Sequence, residues 1–146
     1  MLPNMPRAFF ALCLGALCCG ACGEDPVTTS PSTTTKVRTT EVFTGTLTVG
    51  GAQFYSFLSS ESGTTDVTLV SLRPSGSTAS TLATVVGLGV GTPSGIDCAL
   101  MSAITTAPGL AAQLSVTTST RTYCVKVADV GNLRGATDYT VRLLHP

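Results

Sequence analysis

From Glu41 onward the chain alternates between short apolar runs, rich in β-branched and aromatic residues, and breaks made of Gly, Pro and Ser. EVFTGTLTV (41–49) puts Phe43, Leu47 and Val49 on one side, and QFYSFLS (53–59) puts Tyr55 and Phe57 on one face with Phe54 turned away. DVTLVSL (66–72) sets Val67 and Leu69 opposite Thr68 and Val70. LATVVGLGV (82–90) is apolar without a break, the pattern of a strand buried on both faces. LAAQLSV (110–116), RTYCVKVADV (121–130) and DYTVRLL (138–144) complete the set. Within the last two, Tyr123, Val125 and Val127 alternate with Cys124 and Lys126, and Tyr139, Val141 and Leu143 alternate with Thr140 and Arg142. A period of two between turn signals predicts strands, because successive side chains of a strand point to opposite faces. CALMSAI (98–104) lies inside a Pro/Gly-rich connection and is expected to form a single turn or a short strand. The reading is all-β: one antiparallel β-sandwich of about seven strands over residues 41–146, jelly-roll or immunoglobulin-like. Each sheet hides one face and wets the other, so Lys126 and Arg142 are expected to face water.

The N-terminal pattern is of another kind. MLPNMPR carries one cation, Arg7; AFFALCLGALCC (8–19) carries no charge; Gly20 and Ala21 are small. A positive start, a short apolar stretch and a small-residue exit make a secretory signal peptide over 1–21. About a dozen apolar residues fall short of the roughly 20 that a membrane-spanning helix needs. Cys22 follows the small pair and precedes Glu24 and Asp25. This resembles the lipobox of bacterial lipoproteins, in which the cysteine is acylated and becomes the new N-terminus; the position usually held by Leu is Cys19 here. The alternative is ordinary cleavage after Ala21, which leaves Cys22 as an exported thiol. A zinc site is disfavoured by irregular cysteine spacing and the lack of a second ligand cluster. Residues 22–40, with Pro26, Pro31 and many hydroxyl residues, read as a lipid-anchored tether with little to bury.

Charge and cysteine usage narrow the function. Eight basic residues balance eight acidic ones, and neither sign clusters, which excludes a phosphate-neutralising nucleic-acid footprint. Cys98 and Cys124 remain once the leader is removed and Cys22 is acylated. An exported pair reads as one disulfide, with two buried free thiols as the alternative. A closed loop of that size would stabilise the fold by roughly 3 kcal/mol.

Two stretches, GTLTVGGAQFYSFLSSESGTTDVTLVSL (45–72) and RTYCVKVADVGNLRGATDYTVRLL (121–144), together resemble the bacterial pre-peptidase C-terminal domain, a small β-sandwich appended to exported proteins. The matching motifs are Tyr55-Ser56-Phe57, Val67-Thr68-Leu69, Tyr123-Cys124-Val125-Lys126-Val127 and Tyr139-Thr140-Val141. Gln53 stands where that family commonly has an acidic residue, the middle of the chain lacks its aspartate-rich character, and the cysteine pair is not one of its general marks. The resemblance implies an accessory exported module without catalysis of its own.

Residues able to do chemistry are few. His145 stands next to the last residue, where a histidine is hard to preorganise for a catalytic triad. GLGVGTPSG (87–95) lacks the helix and Lys-Ser/Thr of a phosphate loop. Asp129, Asn132 and Asp138 bracket the turn DVGNLRGATD and form a weak calcium candidate, set against the ordinary use of Asp and Asn in turns. The expected protein is therefore a non-enzymatic, cofactor-free, monomeric lipoprotein, held to the membrane by a lipid on Cys22. It is expected at the cell envelope, outer membrane or surface, as an accessory binding or structural module for an envelope protein or glycan. The alternative is a carbohydrate- or peptidoglycan-binding module using loops at one end of the sandwich.

Overall fold

The computed structural model describes residues 36–79 and 81–146. The expected leader, Cys22 and most of the tether lie outside these residues. Eight strands form: β1 (Thr39–Leu47), β2 (Ala52–Ser59), β3 (Gly63–Pro74), β4 (Val86–Ser94), β5 (Asp97–Thr106), β6 (Leu114–Thr118), β7 (Arg121–Ala128) and β8 (Thr137–His145). There is no helix among the described residues. All pairings are antiparallel, in two four-stranded sheets ordered β1-β8-β3-β6 and β2-β7-β4-β5. Successive strands mostly switch sheets, and this order is that of a jelly roll. β1 begins two residues before the expected start of the domain, and the Arg38 guanidinium already ties the incoming chain to Thr64 O, Leu144 O and Asp66.

The predicted alternation builds the core. Leu47, Phe57, Val67, Leu69, Leu88, Val90, Tyr123, Val125, Val127, Tyr139, Val141 and Leu143 are buried between the sheets. Burying such side chains contributes roughly 1.5–3 kcal/mol each before the cost of ordering the chain. The β1/β2 side is closed by a polar clasp. The Tyr55 hydroxyl lies 2.7 Å from that of Tyr139 and donates to Thr44 O at 2.9 Å, while the Tyr55 ring stacks on Phe43. Gly45 makes room for this: a Cβ there would lie 2.7 Å from both hydroxyls. Burial, reinforced by the Tyr55 hydroxyl, pushes the Tyr139 phenol well above its ordinary range. At the opposite end, Ser59, Thr65 and Thr118 from three strands share buried hydroxyl hydrogen bonds, so the polar groups enclosed there are satisfied.

Five details depart from the strand reading. β4 runs Val86–Ser94 and not 82–90, and Leu82 lies ahead of it with its N–H on Leu72 O. β5 is ten residues long, not a turn or a short strand. A bulge between Leu69 and Ser71 shifts the phase of β3, so Leu72 is buried along with Leu69, and Thr68 is also enclosed. Val49 is exposed because β1 stops at Leu47 and the chain turns at Gly50, whose φ is +71°. β6 runs Leu114–Thr118 and not 110–116, because Gln113 clamps the preceding segment to Leu69 through both its amide oxygen and its amide nitrogen.

Candidate functional site

The cysteine pair is joined. In the sheet order β7-β4-β5, Cys124 and Cys98 lie on strands that β4 separates, and strands two apart in a flat sheet stand roughly 9.5 Å from each other. Their Cα atoms are nevertheless 5.9 Å apart. β5 reaches Cys124 by folding over the end of β4. The register of β4 on β5 shifts between Val90 and Gly91, leaving Met101 as the extra residue on β5. A Cβ at Gly91 would lie 2.0 Å from Ala99 O. Only glycine admits the β5 backbone so close. The fold-over also brings Asp97 within 2.7 Å of Lys126 Nζ, on the outer face of the same sheet. That hydrogen bond holds the Asp97 carboxyl below its usual range.

The calcium candidates have other partners. Asp129 Oδ1 accepts the N–H groups of Gly131, Asn132 and Leu133 at 2.9, 2.9 and 3.2 Å, and Oδ2 accepts that of Gly50 at 2.8 Å. These four donors lower its pKa, that of Gly50 most. The carboxylate thus organises the β7–β8 loop and pins it to the β1–β2 turn. Asp138 accepts from the Thr46 hydroxyl at 2.6 Å and from Gly76 N–H at 3.3 Å, and its pKa is lowered, chiefly by Thr46. The two aspartates therefore engage different segments, and N–H dipoles face the oxygens that a cation would need. Among the described residues no group of three or more acidic, His or Cys side chains is placed to hold a metal ion.

His145 is fixed, contrary to the expectation for a residue so near the chain end. It is buried, its Nε2 lies 3.1 Å from Glu41 Oε1 and its Nδ1 lies 3.0 Å from Pro146 O, and its ring packs against Phe57. These contacts knit β1 to the end of β8. No serine or threonine hydroxyl is hydrogen-bonded to the imidazole among the described residues.

Sequence reasoning missed two depressions. The first is a cleft of about 350 Å³ at one end of the sandwich, between the segment after β3 and the β7–β8 loop. Pro74, Leu82, Leu133 and Ala136 give it a mainly apolar wall, with Thr84, Asn132, Arg134 and Thr137 as polar groups. Its frame is held by Leu82 N–H to Leu72 O at 2.7 Å, by Ser75 N–H to Ala136 O at 2.9 Å, and by the Asp129 carboxylate. The available signal was Leu133, an apolar residue outside every predicted strand, whereas Leu82 was read as the start of the 82–90 strand. The second is a shallow polar depression of about 570 Å³ across β1, β8 and β3, bordered by Thr44, Thr46, Ser71, Arg73, Asp138 and Thr140. Its signal was the row of hydroxyl residues on the outward register of β1 and β8. No family model and no curated protein matches this chain.

Proposed function

We propose that this chain is an exported lipoprotein, anchored through a lipid on Cys22, whose sandwich serves the cell envelope as a non-catalytic binding or structural module similar in kind to pre-peptidase C-terminal domains. The observation that carries the reading is the Cys98–Cys124 bond, because structural disulfides form and persist in oxidising compartments. The charge-free run ahead of Gly20-Ala21-Cys22 supplies the matching export signal. The cleft between the loops offers a place for a small, mainly apolar group, within the size range of ligand pockets. A second reading, carbohydrate binding, is favoured by the polar depression, whose hydroxyls and Arg73 suit a polyol better than the apolar cleft does.

Fractionation of the producing cells tests the anchor. The native chain is expected in the membrane fraction, and Cys22→Ser is expected to shift it to the soluble envelope fraction; equal partition of the two would sink the proposal. Chemical-shift mapping with peptidoglycan fragments and oligosaccharides separates the two binding readings. Saturable shifts at Thr44, Ser71 and Thr140 would favour the sugar reading; envelope components that shift only Leu82, Leu133 and Ala136 would favour the first.

A further inference from the structure

The apolar cleft and the point where the chain enters the domain lie at opposite ends of β3. Lys36 Nζ donates to Ser62 O at 2.6 Å, just ahead of Gly63, whereas Pro74, which closes β3, lines the cleft. The twelve residues of β3 rise by roughly 35 Å between those ends. The rim of the cleft is also uncommitted. The guanidinium groups of Arg38, Arg121 and Arg142 are engaged, on Asp66, the Tyr123 ring and Leu110 O. Those of Arg73 and Arg134 have no hydrogen-bond or ion-pair partner among the described residues. Arg73 stands opposite Asp138 on the outer sheet face, whereas Arg134 borders the cleft. The side chains of Asn132 and Thr84, on the same rim, also make no hydrogen bond among the described residues. Asp129 and Asp138, the carboxylates at this end, accept from N–H and hydroxyl donors instead.

Resting on the binding-module reading above, we propose that this cleft holds the C-terminal end of a peptide whose last residue is apolar. Pro74, Leu82 and Leu133 receive the apolar side chain, whose burial drives association. Arg134 takes the terminal carboxylate, because a planar guanidinium matches a carboxylate with two parallel, charge-assisted hydrogen bonds. Asn132 and Thr84 serve the last amide, which needs a partner once water is excluded; a carboxamide and a hydroxyl each both donate and accept. A volume of about 350 Å³ lies at the low end for ligand pockets, which suits the end of a chain rather than one passing through. A sugar would set its hydroxyls against the apolar wall without partners, and a plain fatty acid would leave Asn132 and Thr84 unused. The frame is already set: Leu133 N–H is held by Asp129 and Ala136 O by Ser75 N–H, so little ordering is left for the ligand to impose.

Fluorescence anisotropy of the peptide fluoresceinyl-Gly-Gly-Leu tests this, with the native chain in phospholipid nanodiscs and empty nanodiscs as the blank. The free-acid peptide is expected to bind saturably, with a dissociation constant on the order of 100 μM, and its C-terminal amide at least about tenfold more weakly. Arg134→Gln is expected to bring the acid down to the level of the amide and to leave the amide unchanged. Ala136→Phe, which fills the cleft, is expected to abolish binding of both, with circular dichroism confirming that each variant is folded. Octanoate is expected to displace the probe at least about tenfold less well than unlabelled Gly-Gly-Leu. Absence of saturable binding, equal binding of acid and amide, indifference to either substitution, or octanoate competing as well as the peptide would each overturn the assignment. The anchor is read separately, by the fractionation of Cys22→Ser. Cleft resonances moved by other envelope components, without binding of this peptide, would overturn the peptide assignment while leaving the binding module standing.

Discussion

Replacing Cys98 and Cys124 together with alanine removes the one covalent link in the sandwich and probes how β5 is held. The two residues are 26 apart in sequence, and closing a loop of that length restricts the unfolded chain by about 3.5 kcal/mol at 25 °C on the chain-entropy model. Cys124 is fully buried and Cys98 nearly so, so trimming both sulfurs leaves a small void that adds roughly 1 kcal/mol. Alanine avoids the buried, unpartnered hydroxyl that serine would introduce. What remains of the fold-over is the Lys126–Asp97 pair and the β4–β5 ladder, and the exposed ion pair contributes little. Urea unfolding followed by tyrosine fluorescence and circular dichroism reads the difference. The double variant should lose about 4 kcal/mol, and its m-value should rise because its unfolded ensemble is less compact. If it unfolded within 1 kcal/mol of the parent, with the same m-value, the bridge would not be the constraint described here.

Further predictions follow from single contacts. Gly91→Ala should cost 3 kcal/mol or more, roughly, because the β5 backbone has to retreat, whereas Gly89→Ala should cost about 1 kcal/mol, since the nearest atoms are mobile Leu100 methyls; thermal melts compare the two. Tyr55→Phe leaves the Tyr139 hydroxyl without its partner and should cost about 1–3 kcal/mol, while adding Tyr139→Phe should recover part of that loss, a non-additivity that a double-mutant cycle measures. Asp66, Asp97, Asp129 and Asp138 all have lowered carboxyl pKa values in the folded state, so the unfolded chain takes up protons first as pH falls. Their contribution is complete above the ordinary carboxylate range near 3.8 and is lost as pH drops through the lowered values, so urea midpoints should hold from pH 7 to about 5 and fall steadily below about 4. Asp129→Asn should weaken the β7–β8 loop and shift resonances lining the cleft, because an amide NH₂ cannot accept the Gly50 N–H while its oxygen serves the other three.

The two-residue alternation made most of the sandwich legible, since a strand with one buried face writes its register directly into Phe57, Tyr123, Val125, Tyr139 and Val141. β5 was illegible for the opposite reason. An edge strand exposed along much of both faces, with a bulge at Met101, has no period to read. The 86–90 part of the continuous apolar run, which opens β4, was readable as enclosed, but the cause lay elsewhere in the chain. Its outward positions are Gly87, Gly89 and Gly91, and they are covered by Val130, Leu100 and the β5 backbone. The disulfide could be paired by elimination, yet its passage over β4 depends on Gly91 admitting a backbone from another strand. The same holds for the cleft and for His145. Both arise where segments distant in sequence meet, and only the fold supplies their neighbours.

The central claim, that this sandwich is carried on a lipid outside the cytosol, is tested most directly by intact-mass and N-terminal peptide mass spectrometry of the native chain from the membrane fraction, under non-reducing conditions. The account predicts a mature chain beginning at Cys22, carrying the mass of a diacylglyceryl group with or without a further acyl chain, and a Cys98–Cys124 linked peptide. An unprocessed chain beginning at Met1, or an unmodified Cys22, would contradict it.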